Sequence, residues 1–189
     1  LEVLAIDKVG GAKMLKQICS YSNERISISD MSVADYISTD NLLQNCEGAK
    51  SYDGVPNINS AVKYEKGDIL LSNIRPYLKK IWFADKNGGC SPDVLVIRIY
   101  SQEYLPEYVY HAIARQKFFD FVMTDVKGMK MPRGNKDNIM RYKIPAISLA
   151  EQQQVVNQIH KYTEQINASL NVMQDCANRK KAVIEHYLS

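Results

Sequence analysis

The residues best suited to binding chemistry are six basic side chains between positions 127 and 143, which share that segment with one acidic residue. The net charge of the whole chain is only +3, so nearly all of the positive excess lies here. Gly128, Gly134 and Pro132 predict that the segment is a loop, and loops on a rigid scaffold often carry recognition. The segment therefore favours an anionic partner, and the alternative is a solvated basic loop with no partner.

Residues that could support catalysis or bind a metal ion are scattered along the chain. The four cysteines form no C-x-x-C pair and the three histidines stand alone, so neither a metal site nor a disulfide framework is expected. Asp68 and Asp93 each adjoin a turn residue, which predicts capping of backbone groups rather than acid–base chemistry. Cys90 has no histidine or basic neighbour in sequence to activate its thiol. No hydrolase, nucleotide-binding or adenine-methyltransferase motif occurs, and we expect a non-catalytic chain.

Length and composition limit the class of protein. With 189 residues, of which 46% are hydrophobic, the chain can form one domain with a core plus an appendage. It contains no run of eighteen apolar residues and no positively charged leader ahead of an apolar stretch. We therefore expect a cytoplasmic protein without membrane association.

The first 146 residues are predicted to form a mixed, β-rich domain. Apolar runs predict strands at 69–72, 81–84 and 94–99, with turns at 64–68 and 85–89. A helix is predicted from Pro106, and its apolar positions Val109, Ile113, Phe118 and Val122 would face the core. The aromatic residues of this region are expected in the core as well. The predicted fold class is α+β.

A long helix is predicted over the second region, residues 147–189. Ser148 and Glu151 have capping-box spacing, and Pro145 keeps the preceding chain extended. An apolar stripe recurs at steps of three and four, with one irregular step near Leu170. The stripe comprises Val155, Ile159, Tyr162, Ile166, Leu170, Met173, Ala177, Ile184 and Leu188. At about 1.5 Å per residue the helix would span roughly 60 Å, which predicts pairing with a second helix of coiled-coil type. The alternative is that it folds back on its own domain.

Four sequence blocks occur in a familiar order. They are K-G-D-I-L-L-S-N-I-R-P-Y at 66–77, C-S-P-D at 90–93, G-M-K-M-P-R-G at 128–134, and I-P at 144–145 leading to L-A-E-Q-Q at 149–153. Together they resemble the specificity subunit of type I restriction-modification systems, one target-recognition domain with its conserved helix. The resemblance extends over nearly the whole chain from about Ala12.

The resemblance implies a function in DNA recognition. A target-recognition domain of this family binds one half of a bipartite site in double-stranded DNA, and the long helices pack antiparallel and scaffold the methyltransferase (modification) subunits. S-adenosylmethionine would be bound by those subunits and ATP by separate restriction subunits, so no cofactor is expected on this chain. The family's usual chain has two recognition domains and two helices. One of each here implies either half of a longer subunit or a half-sized subunit that forms a homodimer.

Candidate contact residues follow from contact chemistry, because Lys and Arg mainly neutralise phosphates whereas bidentate Arg, Asn or Gln contacts read bases. The first group expected on DNA is Lys127, Lys130, Arg133 and Lys136, and the second is Arg75, Lys79 and Lys80. Asn73 and Asn135 are candidate base readers, while Gly67, Asp68 and Pro132 are expected to hold loop geometry. The helix-pairing residues are Val155, Ile159, Ile166, Leu170, Met173 and Ile184.

Two other functions remain open at the level of sequence. The chain could be a recognition domain cut from a single-chain methyltransferase-nuclease, which a methylase motif upstream in the full gene would reveal. It could also be a non-catalytic protein-interaction adaptor whose basic loop binds acidic protein surfaces. An adaptor would show no preference among DNA sequences.

Overall fold

The computed structural model describes residues 11–54, 56, 58–125 and 131–188, with side chains described as far as Tyr187. Its contacts divide the chain into two compact units, one ending at Gln152 and the other beginning at Gln153. The sequence placed the boundary between 146 and 147 instead. The start of the long helix lies with the first unit because the amide of buried Gln152 bonds to Glu103 O, Ile147 O and Leu105 N, at 2.8, 2.9 and 2.8 Å.

The first unit is a β-rich assembly with short helices. Its strands are β1 (Ala12–Met14), β2 (Cys19–Tyr21), β3 (Arg25–Ser27), β4 (Tyr36–Ile37), β5 (Ser60–Tyr64), β6 (Ile69–Ser72), β7 (Ile81–Phe83), β8 (Gly88–Cys90), β9 (Val94–Ile99) and β10 (Lys143–Pro145). Its helices are α1 (Pro106–Ile113), α2 (Gln116–Met123) and α3 (Lys136–Ile139), and α4 (Leu149–Leu188) begins in it. The predicted α+β class is confirmed.

The strands form three sheets in the described part of the chain. One four-stranded sheet has the order β2-β9-β6-β7, another has the order β3-β5-β8-β4, and β1 pairs with β10. All neighbouring strands are antiparallel except β4 and β8, which are parallel. The predicted strand at 69–72 is β6 and the one at 94–99 is β9, and these two strands pair along their length.

The core contains residues from both of the larger sheets. One cluster joins Leu70 of β6 and Val94 and Val96 of β9 to Ile37 and Tyr64 from the other sheet. Leu95 and Ile97 are also buried, and the alternation of side chains along a strand directs them to the opposite face. Both faces of β9 are therefore covered, which explains its nearly continuous apolar sequence. The predicted core positions Val109, Ile113, Phe118 and Val122 are buried too.

Gly88 and Gly89 were predicted in a turn, but they form strand β8, so this prediction is wrong. Both glycines lie where the chain passes very close to its neighbours. A Cβ on Gly88 would approach the Asp35 carbonyl oxygen to 2.3 Å, and one on Gly89 would approach Ala61 Cβ to 2.7 Å. Glycine is needed here for close packing of a strand interior rather than for turning the chain.

The single helix predicted from Pro106 is two helices, α1 and α2, separated at Ala114 and Arg115. Arg115 is extended, with φ −144° and ψ 158°. The sequence contains a signal for this break, because the inward positions Ile113 and Phe118 are five residues apart. Five residues rotate a helix by about 140° beyond a full turn, so one continuous helix could not bury both side chains on one face. Because the helix breaks between them, the side chains of Ile113 and Phe118 can both be buried in the core.

The basic segment 127–143 was predicted as a loop, and that prediction is wrong over its second half. Residues 136–139 form α3 and residues 143–145 form β10, whose Ile144 is fully buried and registers with Lys13 of β1. The apolar residues Ile139 and Ile144 anchor these short elements in the core, an effect that the charge count did not reveal. Residues 126–130 lie outside the described residues.

The long helix α4 confirms the prediction of one continuous helix, over Leu149–Leu188 of the described residues. It begins as its capping box predicts, since Ser148 N donates to Glu151 Oε2 at 2.9 Å and Glu151 N donates to Ser148 Oγ at 3.3 Å. The Ser148 hydroxyl, which donates to Glu151 Oε2 at 2.7 Å, and the Ser148 backbone N–H hold the pKa of Glu151 below its usual value, because both favour the charged carboxylate. Among the described residues, no helix combines the length and apolar character needed to cross a bilayer.

We predict that Gly88→Ala destabilises the fold by about 1–3 kcal/mol, because the added methyl group would overlap the Asp35 carbonyl and the Tyr64 hydroxyl. The matched control is Gly11→Ala, whose added Cβ would have no heavy atom within 4 Å. Urea denaturation of the two variants measures the difference. Equal stability of the two proteins would show that β8 does not pass as close to its neighbours as described.

Candidate nucleic-acid interface

Three loops that are distant in sequence meet at residues 73–75, and backbone hydrogen bonds hold them together. Asn73 N donates to Asp93 O at 2.8 Å, Gly134 N donates to Asn73 O at 3.0 Å, and Arg75 N donates to Pro132 O at 2.8 Å. Ile74 and Arg133 also form an isolated antiparallel bridge. We call residues 73–75, 91–93 and 131–135 the three-loop junction. It brings the backbones of Arg75 and Arg133, one residue from each predicted basic group, side by side.

Arg133 is held by a carboxylate across this junction. Its Nη1 lies 2.9 Å from Asp93 Oδ1, and its side chain remains 60% exposed. Asp93 was predicted to cap a turn, and the structure corrects that prediction by placing its carboxylate on Arg133. No sequence pattern indicates this pair, because the two residues meet only through the packing of separate loops. The ion pair fixes the direction of an exposed guanidinium.

Asn73 lies beneath the surface of the junction. It is only 7% exposed, and its Oδ1 has no hydrogen-bond partner among the described residues. A Cβ on Gly134 would lie 3.0 Å from that oxygen, so the chain passes close over the amide. The prediction that Asn73 reads bases is wrong for this arrangement, because its side chain is not presented to solvent.

The second basic group lies on the segment that follows β6. Arg75 is exposed, Lys79 Nζ donates to Gln116 Oε1 at 3.2 Å, and Lys80 Nζ donates to Thr39 O. Arg75 and Lys80 line a cleft of about 210 Å³, which we call the Arg75 cleft. Its other lining residues are Thr39, Asp40, Ser72, Ile74, Leu78 and Met131. The structure therefore brings Arg75 and Lys80 to one concave surface and directs the Lys79 ammonium to α2.

The first basic group is described in part. Lys127 and Lys130 lie outside the described residues. Lys136 is exposed, with its ammonium 6.0 Å from the centre of the Tyr21 ring. Asn135 caps α3, since its Oδ1 accepts from Asp137 N at 3.0 Å and Asn138 N at 3.2 Å. The amide oxygen of Asn135 is thus already engaged, and its contact with DNA stays a prediction.

The residues considered for catalysis have structural roles. Asp68 Oδ2 accepts from Glu65 N at 2.8 Å, which confirms its predicted place in the turn at Gly67, whose φ is +93°. Arg98 also binds both Asp68 oxygens, at 2.9 and 2.7 Å, and hydrogen bonding with Asp68 raises the pKa of Arg98. Burial raises the pKa of Cys90 to about 12, so its thiol stays protonated at neutral pH. These groups stabilise the sheet and its turns.

The apolar stripe of α4 is largely open along the helix unit. Ile166, Leu170, Met173 and Ile184 are exposed, and Val155 and Ile159 are half-buried. Leu170 is 54% exposed, and every described side chain from 161 to 187 is exposed. Pairs at i,i+4 such as Arg179 with Asp175, at 2.8 Å, support the isolated helix only weakly.

A family profile described as the type I restriction modification DNA specificity domain matches residues 8–172. The chain belongs to this family. A specificity domain is non-catalytic, so the expectation that this chain is a DNA recognition domain rather than an enzyme is confirmed. It is also similar to the specificity subunit of the type I restriction enzyme EcoDI from Escherichia coli, with 26% identity over 124 residues, covering 63% of this chain and 26% of that protein.

Solved structures show the same fold. The HsdS subunit from Thermoanaerobacter tengcongensis aligns over 93% of this chain and 47% of its own, with a TM-score of 0.69 and 17% identity. The S subunit of a type I restriction-modification system from M. genitalium aligns over 89% of this chain and 42% of its own, with a TM-score of 0.59 and 13% identity. This specificity domain thus spans a quarter to a half of the relatives it matches.

We predict that Asn135→Ala lowers the stability of the specificity domain by about 1 kcal/mol, because α3 loses its N-cap acceptor. Asn135→Asp keeps a side-chain oxygen at the cap and is expected to remain near wild-type stability. Chemical denaturation of the three proteins measures the effect. If Asn135→Ala and Asn135→Asp are equally stable, the cap contributes nothing to folding.

Proposed function

We propose that this specificity domain binds one half of a bipartite site in duplex DNA through the three-loop junction and the adjoining basic side chains. The observation that carries the proposal is that Arg75 and Arg133, which are distant in sequence, lie on backbones joined by direct hydrogen bonds. A rigid frame that presents exposed cations reduces the entropy lost on binding a polyanion. Family membership supports DNA as that polyanion.

Within this surface we assign different roles to the cations. Arg133 has a guanidinium that Asp93 holds in one direction, which suits the bidentate geometry used to read guanine. Lys136 is exposed, as suits a phosphate contact, and the sequence predicts the same role for Lys127 and Lys130. Affinity would then come mainly from lysines and discrimination from Arg133.

The phosphate assignment predicts a salt dependence. Lys136→Ala should lower the slope of log affinity against log salt by about one unit, as should Lys130→Ala, because each phosphate contact releases counterions. The matched control is Lys161→Ala, which removes the same charge from an exposed position on α4. Fluorescence anisotropy with a labelled duplex at several salt concentrations measures the slopes. Slopes that do not differ between the Lys130 and Lys136 variants and Lys161→Ala would contradict the assignment.

The base-reading assignment predicts a change in selectivity. Arg133→Ala should cost about 1–3 kcal/mol on the cognate half-site and relax the preference at one base pair. Lysine at this position should not restore the full preference, since it cannot make the bidentate contact. Selection from a randomised duplex pool, sequenced before and after binding, measures the preference. Uniform weakening on all sequences would make Arg133 a phosphate contact, and absence of any sequence preference in the wild type would favour a protein-interaction adaptor.

We further propose that α4 pairs antiparallel with a second such helix and that the pair scaffolds methyltransferase subunits. The open stripe through Ile166, Leu170 and Met173 supports pairing, because a single helix leaves this apolar surface in water. The second helix would belong either to another copy of the chain or to the other half of a longer polypeptide. In such a cytoplasmic complex, S-adenosylmethionine and ATP would be bound by the modification and restriction subunits respectively.

Leu170→Asp tests the pairing. A charge in a buried apolar seam costs several kcal/mol, and an isologous contact places the substitution on both copies, so a dimer should become a folded monomer. Two-part DNA sites should then no longer be bound tightly, while weak binding to a half-site persists. The control is Asn171→Asp, which adds the same charge next to the stripe but off it. Sedimentation measures the mass, and a wild-type monomer would assign the second helix to the same longer polypeptide.

A further inference from the structure

The Arg75 cleft has features of a built anion site. Its two cationic lining residues, Arg75 and Lys80, have no ion-pair partner among the described residues, and the Lys80 ammonium is fixed at one side by Thr39 O. The rest of the lining combines the apolar residues Ile74, Leu78 and Met131 with the polar residues Thr39, Asp40 and Ser72. Apolar walls weaken the screening of charge by water and so strengthen the attraction of the two cations for an anion.

Backbone strain is found in two neighbouring loops, one of which carries these cations. In the described part of the chain, each non-glycine residue with a positive φ lies in one of two loops, at Asn45, Cys46, Arg75 and Lys79, with φ of 55°, 62°, 50° and 52°. The loops bond to each other, since Asn45 N donates to Leu78 O at 3.0 Å and Cys46 N donates to Lys79 O at 2.9 Å. Strained conformations persist where the surroundings fix them, and they cluster at binding sites.

From this arrangement we propose that the Arg75 cleft binds one phosphate group of the DNA backbone, with Arg75 and Lys80 as its ligands. The proposal rests on the proposed function and adds a specific subsite to it. The volume of about 210 Å³ exceeds that of a single phosphate group, so the cleft has room for the adjoining sugar atoms. The Arg guanidinium offers a fork of donors that matches phosphate oxygens. The subsite sets the register of the DNA, so that Arg133 reaches a base edge from the joined loop.

Asp40 is the exposed carboxylate that lines the same cleft. Whether removal of its charge strengthens or weakens DNA binding tests the proposal. A phosphate in the cleft would be repelled by Asp40, so the carboxylate weakens binding. If instead a base edge entered the cleft, Asp40 would accept a hydrogen bond from an amino group such as that of cytosine and would strengthen binding. The two occupants therefore predict opposite effects of removing the charge.

The experiment measures the fluorescence anisotropy of a labelled mixed-sequence duplex as the full chain is added, at several salt concentrations. Asp40→Asn should tighten binding by about two- to fivefold, whereas the control Asp30→Asn, a carboxylate outside the cleft lining, should change it much less. Arg75→Ala should lower the salt slope by about one unit and Arg75→Lys should retain it. In the Arg75→Ala background, the gain from Asp40→Asn should shrink, because the phosphate no longer occupies the cleft. Thermal melting of each variant verifies that it is folded.

Several outcomes would overturn the proposal. Weaker DNA binding by Asp40→Asn would show that a base edge, not a phosphate, occupies the cleft. An equal gain in DNA affinity from Asp40→Asn and Asp30→Asn would show that the gain comes only from the change in net charge. An unchanged slope in folded Arg75→Ala would exclude a phosphate contact at that residue. In each of these cases the wild type still binds DNA, so the function proposed above survives. A wild type that binds no duplex at low salt would overturn both.

Discussion

The candidate DNA surface depends on the backbone of residues 73–75, because this short segment bonds to two other loops at once. Asn73 O accepts a hydrogen bond from Gly134 N, and Asn73 N donates one to Asp93 O. Arg75 N donates to Pro132 O. Each of these bonds is replaceable by water in an unfolded chain, so their net contribution to stability is modest. Their geometric effect is larger, since they convert three flexible connections into one frame. The frame is tied to the core directly, because β6 ends at Ser72 and β9 begins at Val94.

The sequence predicted the elements whose signal is local. The capping box at Ser148, the continuous helix after it, and the apolar strands that became β6 and β9 all follow from patterns within a few residues. Three of the family blocks lie in the loops that meet at the three-loop junction. The prediction of a turn at Gly88 and Gly89 was wrong because it used the local sequence alone. Glycine serves both turns and close strand packing, and only the neighbours Asp35 and Ala61 decide between them.

The candidate site was predictable in its residue types and only partly in its arrangement. A charge count located the basic segment, but it could not show that Ile139 and Ile144 anchor part of that segment in the core. Nor could it show that Asp93 pairs with Arg133, that Asn73 is buried, or that Lys79 turns toward Gln116. These are tertiary relations between residues far apart in the chain. The strain at Arg75 is likewise invisible in sequence, since arginine has no preference for a positive φ.

The small net charge offers a physical reason why a specificity domain of this kind would act as one of a pair. With a net charge of +3, a single domain would neutralise only a few phosphates, so its affinity at physiological salt would be low. Joining two such domains through paired helices makes the second binding step intramolecular, which raises its effective concentration without new contacts. A rigid helix suits this better than a flexible linker, because it concentrates the second domain at one distance along the DNA. Two weak half-sites at a fixed spacing then discriminate against either half alone.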